Sequence, residues 1–150
     1  MAKSKKVIRG LMLILDTDHY SEFARQSESG GRLRQRLLES DDDEFLAIIT
    51  AEEVLKGWLS AIKPHRQKDR GVRSYRQFQD SLTDLLRWSI LPWTEDAADI
   101  FDSMRSQGIT IGSLDLRIAS IALEFDATVL TRNLKDFNQV PGLKIENWLD

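Results

Sequence analysis

No cysteine occurs anywhere in the 150 residues, which removes disulfide cross-links, thiol nucleophiles and thiolate zinc sites from consideration. Histidine is nearly as scarce. With only His19 and His65, an imidazole-rich metal centre is excluded too, and any metal must be held mainly by oxygen. Also missing is an apolar run approaching the roughly 18 to 20 residues of a membrane span. The opening MAKSKKVIRGLMLIL is basic, but Asp16 and Asp18 cut its apolar stretch short, and no signal-like cleavage pattern is present. A cytoplasmic protein with no membrane association is expected. Excess positive charge is absent as well. A formal net charge of -3 argues against a protein that coats nucleic acid non-specifically, and leaves room for an enzyme that holds a short piece of it.

What remains is the composition of an ordinary globule, 41% hydrophobic and 30% charged. A chain of this length buries about two-thirds of its extended surface in one core, so a single domain over residues 1–150 is expected, with residues 1–10 a flexible or peripheral N-terminal segment. No repeat, low-complexity tract or interdomain linker interrupts it.

Short apolar runs alternate with helical stretches. LMLIL (11–15) suits a central strand covered on both faces. A helix follows DTDHYSEF, with a break at SESGG (27–31), and RLRQRLLES then turns Leu33, Leu37 and Leu38 toward the core. FLAII (45–49) is expected as a second strand. Thr50 would open a helix in which Val54, Leu55, Trp58, Leu59 and Ile62 share a face, ended by Pro64. The basic piece 63–77 leads into a helix lined by Tyr75, Phe78, Leu82, Leu85 and Leu86. SILPW (89–93) is a third strand stopped by Pro92, and Thr94 caps a helix with Ala97, Phe101 and Met104 inward. A further helix runs from Leu114 to Phe125, before the strand ATVLT (127–131) and a last strand within PGLKIENW. Strands separated repeatedly by helices indicate an α/β fold, with a mostly parallel sheet covered on both faces.

In such sheets, sites form beyond the carboxyl ends of the strands. Asp16 and Asp18 follow the first apolar run, Glu53 lies one helical turn beyond the second, and Asn133 and Asp136 follow ATVLT. Asp115 stands two residues inside a helix opened by Gly112 and Ser113. Each has an ordinary explanation: helix capping by Asp16 or Asp18, a Thr50–Glu53 capping box, an acid at a helix start for Asp115, an Asx turn at Asn133. In combination they imply more. Carboxylates gathered together repel, and proton uptake or a cation must resolve the repulsion. An oxygen-only donor set suits Mg²⁺ or Mn²⁺, which lower the pKa of water and offset charge on a phosphoryl oxygen. Thr17 and Thr131 can bind phosphate or satisfy local backbone groups. Arg117 offers a phosphate contact, an ion pair or a solvated charge, and the basic run 63–76 an attraction for nucleic-acid backbone. His19 has no orienting partner visible in the sequence and is not assigned a role in proton transfer.

LDTDHYSEFAR, ITAEEVLKG and IGSLDLRIASIALEFDATVLTRNLKDFNQVPGLKIENW, in that order, resemble the successive motifs of PIN-domain ribonucleases, specifically the VapC-type toxins of bacterial toxin–antitoxin pairs. The resemblance covers nearly the whole chain, with 60–90 least distinctive. It implies a three-layer α/β/α fold and a metal-dependent endoribonuclease using Mg²⁺ or Mn²⁺. Asp16 matches the first invariant aspartate, Asp18 the adjacent Asn-or-Asp position, Glu53 the glutamate four residues before a glycine (here Gly57), and Asp115 the aspartate of the penultimate helix. Asn133 stands where many relatives carry aspartate, and Asp136 matches a nearby acid of variable role. The implied metal ligands are Asp16, Asp115 and Glu53, with Asn133 as a catalytic position that orients water. RNA is the implied substrate, and a cognate antitoxin and a second copy of the chain are the implied partners. Two other classes fit the acidic edge: a non-catalytic binding or assembly module, and a phospho-acceptor regulatory domain, for which Lys135 imitates the partner lysine but Thr50 follows FLAII where the acceptor aspartate belongs.

Overall fold

A computed structural model describes residues 10–65 and 67–150. The expected N-terminal segment 1–10 thus falls almost wholly outside the described residues. Five strands form one sheet: β1 (Met12–Leu15), β2 (Asp43–Ala47), β3 (Ile90–Leu91), β4 (Thr128–Leu130) and β5 (Lys144–Glu146). Their order is β3-β2-β1-β4-β5, and every neighbouring pair is parallel. The chain therefore steps outward from β1 to β3, then crosses to the other side of β1. The crevice between the ends of β1 and β4 is where such a sheet opens a binding site.

Strand β1 explains the two-sided burial. Leu13 and Leu15 enter one core with Tyr20, Leu33, Leu46 and Leu130, whereas Ile14 enters the other with Leu116, Ile118, Val129 and Phe137. Successive side chains of a strand point to opposite faces, so an unbroken apolar run needs helices on both. The first face is covered by α1 (Thr17–Ala24), α2 (Glu28–Glu39), α3 (Ile48–His65) and α4 (Val72–Leu86), the second by α5 (Glu95–Ser106), α6 (Ser113–Glu124) and the short α7 (Leu134–Phe137). Helix α6 is buried almost all round from Leu116 to Ala122. Among the described residues no helix is long and apolar enough to cross a membrane.

Several expected boundaries shift. Strand β2 lies two residues earlier than FLAII, and Ile48 and Ile49 already belong to α3. An apolar run does not by itself separate a strand end from a buried helix start. Thr50 is consequently inside the helix and fully buried, not its cap. The break at SESGG narrows to Ser27, whose hydroxyl accepts from Gly30 N–H at 3.1 Å and starts α2. Gly30 is needed there because a Cβ would overlap the Glu22 carbonyl oxygen of α1. Leu38, Leu59 and Leu86 are 81%, 60% and 75% exposed rather than inward. Leu38 and Leu86 each follow a buried leucine, Leu37 or Leu85, and adjacent helical residues lie about 100° apart around the axis. SILPW contributes only Ile90 and Leu91. Thr94 does cap α5, accepting from Ala97 N–H at 3.1 Å. Phe78 packs on Trp58, ring centroids 6.5 Å apart, so part of the α4 stripe is spent within the chain.

Candidate active site

Asp16 leaves the end of β1 and caps α1. Its Oδ1 accepts the His19 N–H at 2.8 Å, and the residue is only 5% exposed. One residue on, Thr17 Oγ1 donates to Glu53 Oε1 at 2.7 Å and lies 3.3 Å from Thr50 Oγ1. This ties α1 to α3 and gives Glu53 a partner other than Thr50. The capping-box explanation of Glu53 fails, because Thr50 does not open the helix. Thr17 is likewise committed to a carboxylate and not free for phosphate.

Asp115 occupies the first turn of α6, with Gly112 at the cap position. Burial first, then the charges of Asp16 and of Glu53, push its carboxyl from the ordinary 3.8 to about 6. Asn133 opposes this by hydrogen bonding, and Asp136 adds to it. The carboxylates of Asp16, at the cap of α1, and Glu53, on α3, thus bear on Asp115 across the crevice beside β1. The Asn133 amide donates to Asp136 Oδ2 at 2.9 Å and Asp115 Oδ2 at 3.4 Å, while its backbone N–H bonds Thr131 Oγ1 at 2.9 Å. A donor placed between two acids lowers their repulsion, which an aspartate at this position would not do. Thr131 is fully buried and serves this turn.

Other expected participants lie elsewhere. Asp18 is exposed on the first turn of α1. Arg117 stacks over Phe101 at 4.5 Å and Trp93 at 5.6 Å and hydrogen-bonds Ser113, so it is a packing cation rather than a free phosphate ligand. Of the basic run, Lys63, Arg70, Arg73 and Arg76 are exposed, and Arg66 lies outside the described residues. His19 was not assigned from sequence, yet its buried ring touches Asp16, Nδ1 to Oδ1 3.3 Å. The available signal was their spacing of three across a helix start.

The donors fit a hard divalent cation in kind: carboxylate and amide oxygens around Asp115, whose carboxyl burial first and then neighbouring acidic charge have raised. Among the described residues no group of three or more acids or imidazoles stands close enough to hold a metal ion. Mg²⁺ does not require one, since it binds through one or two carboxylates and keeps several waters. Beside the acids, a groove of about 600 Å³ is lined by Tyr20, Val54 and Trp58 together with Glu53, Asp80 and Asp84.

No protein-family model matches the chain. It is 29% identical over 136 residues to "Ribonuclease VapC" of Rickettsia bellii, covering 89% of this chain and 93% of that protein. Among solved structures, FitAcB from Neisseria gonorrhoeae superposes with a TM-score of 0.68 at 27% identity, covering 91% of this chain and 98% of that one. DNA-bound VapBC from Salmonella typhimurium gives 0.65 at 25%, covering 92% and 98%.

Proposed function

We infer that this chain, which belongs to the VapC family of PIN-domain proteins, is a ribonuclease toxin: a single nuclease domain that hydrolyses RNA phosphodiesters with Mg²⁺ or Mn²⁺ in the bacterial cytoplasm and is held inactive by a cognate antitoxin. The observation that carries this reading is Asp115 at the switch point of the sheet, whose carboxyl is pushed to about 6 by burial first and then by the charges of Asp16 and Glu53. Asp16, Asp115 and Glu53 would hold the ion. When bound, such an ion supplies a water of lowered pKa and a positive charge opposite the developing phosphoryl charge.

The chain's own residues organise this site. Asp16 is fixed as a helix cap, so its carboxylate is aimed before any ligand arrives. Thr17 holds Glu53 against α1. Asn133 joins Asp115 to Asp136 through its amide N–H groups, which leaves its Oδ1 as an acceptor that would orient a water. The groove beside the acids supports the antitoxin assignment: its apolar walls suit a helix, and Glu53, Asp80 and Asp84 suit a basic side chain on it. Arginine meets that need, because its fixed fork engages two carboxylate oxygens. A homodimer belongs to the same reading, with exposed Leu59, Tyr75 and Leu86 as apolar helical surface.

The test compares nuclease-free wild type, D16N and E53Q on structured RNA with defined Mg²⁺ or Mn²⁺. Wild type should cut, chelator should silence it, and added metal should restore it. Both variants should lose most cleavage while keeping a cooperative fold, since each replacement conserves size and removes like charge. Equal metal-dependent cutting by wild type and D16N would refute the role of Asp16. Absence of cutting by wild type on a broad RNA set would favour a binding module.

A further inference from the structure

His19 is the most deeply buried polar ring described, with no exposure. Its Nε2 accepts the backbone N–H of Trp148 at 3.2 Å. A nitrogen that accepts a hydrogen bond carries no proton, so the neutral ring has its proton on Nδ1. That Nδ1 has no hydrogen-bond partner among the described residues. Its nearest acidic atom is Asp16 Oδ1 at 3.3 Å, a contact angled short of a hydrogen bond. A buried N–H with no other outlet is costly unless it serves that carboxylate. The tail that sets the tautomer is itself held. Arg36 stacks on the Trp148 ring at 4.0 Å, and Arg32 donates to the Leu149 carbonyl at 3.2 Å.

We propose that His19 is a positioning residue for Asp16: the Trp148 amide fixes its tautomer, and its Nδ1–H faces Asp16 Oδ1 at 3.3 Å and steadies that carboxylate electrostatically. Oδ1 also accepts the His19 amide, and among the described residues no hydrogen bond reaches Oδ2, which is left as the oxygen for a cation. The proposal rests on the reading of Asp16 as a metal ligand. It assigns the carboxyl-terminal tail, 129 residues away in sequence, to the support of the acidic site. The alternative is that His19 merely anchors the tail.

Two variants separate these. H19N keeps an N–H donor at the Nδ1 position and cannot reach Trp148, whereas H19Q reaches Trp148 and offers no donor to Asp16. Mn²⁺ binding is measured by electron paramagnetic resonance on wild type, D16N, H19N and H19Q, and ring protonation by nitrogen NMR of histidine-labelled protein. The expected tautomer is Nδ1–H, with that resonance moved by D16N. H19Q should weaken Mn²⁺ binding about tenfold, as loss of an outer-shell partner does, and H19N by less than about threefold. An Nε2–H tautomer, or wild-type Mn²⁺ affinity in H19Q, overturns the positioning role while leaving the nuclease reading intact. Unchanged Mn²⁺ binding in D16N overturns the metal reading, and the His19 proposal with it.

Discussion

Replacing Asp115 by asparagine should stabilise the metal-free protein at neutral pH while destroying its activity. In the folded chain burial, Asp16 and Glu53 move this carboxyl from the ordinary 3.8 to about 6. Because the folded value lies above the unfolded one, stability is fully retained below about pH 4. It falls as pH rises toward 6, where the unfolded chain ionises first, and above that the folded state carries a constant penalty. At 1.36 kcal/mol per pH unit the penalty is at most about 3 kcal/mol. Asp115 is only half-buried, and solvent screening reduces the figure to about 1 to 2 kcal/mol. Asparagine carries no charge and keeps an oxygen for the Asn133 amide, so D115N should gain that amount near pH 7.5, about 3 to 6 °C in melting temperature for a chain of this size. Urea or thermal unfolding in chelator from pH 4 to pH 8 measures it. The gain should vanish near pH 4. Added Mg²⁺ should raise the melting temperature of wild type and not of D115N, since only a species that binds the ion is stabilised by it. Equal stability at pH 7.5, or a gain as large at pH 4, would refute the account of a strained acidic cluster.

G30A should cost about 2 kcal/mol or more by chemical denaturation, because the new Cβ overlaps the Glu22 carbonyl oxygen where α1 meets α2; a neutral effect would mean that the corner is loosely packed. An antitoxin carboxy-terminal peptide should lose inhibition when its basic residues are removed, and equal inhibition by a peptide without them would rule out insertion toward Glu53, Asp80 and Asp84. Light scattering at micromolar concentration should report a dimer. A monomer throughout would reject the exposed leucines of α3 and α4 as an interface.

Local pattern determined much of this protein. The unbroken run at Leu13–Leu15 demanded a strand covered on both sides, the alternation with helices demanded parallel strands, and parallel strands put Asp16, Asn133 and the start of α6 at one edge. Thr94 was legible as a cap because capping needs only a side-chain oxygen three residues before a free amide. Boundaries inside apolar runs were not legible: Phe45–Ile49 contains both the end of β2 and the start of α3, and hydrophobicity is the same on either side of that change. Nor could sequence tell which of two adjacent leucines turns inward, as at Leu37 and Leu38, because that depends on the rotation of the packed helix. Tertiary structure alone decided the chemistry of the acids. Thr17 meets Glu53 across 36 positions, His19 meets Trp148 across 129, and Asp115 is raised by burial and by the charges of Asp16 and Glu53, distant in sequence. Desolvation and Coulomb energy depend on distance and surroundings in space, and the chain order of residues specifies neither until the sheet brings their elements together.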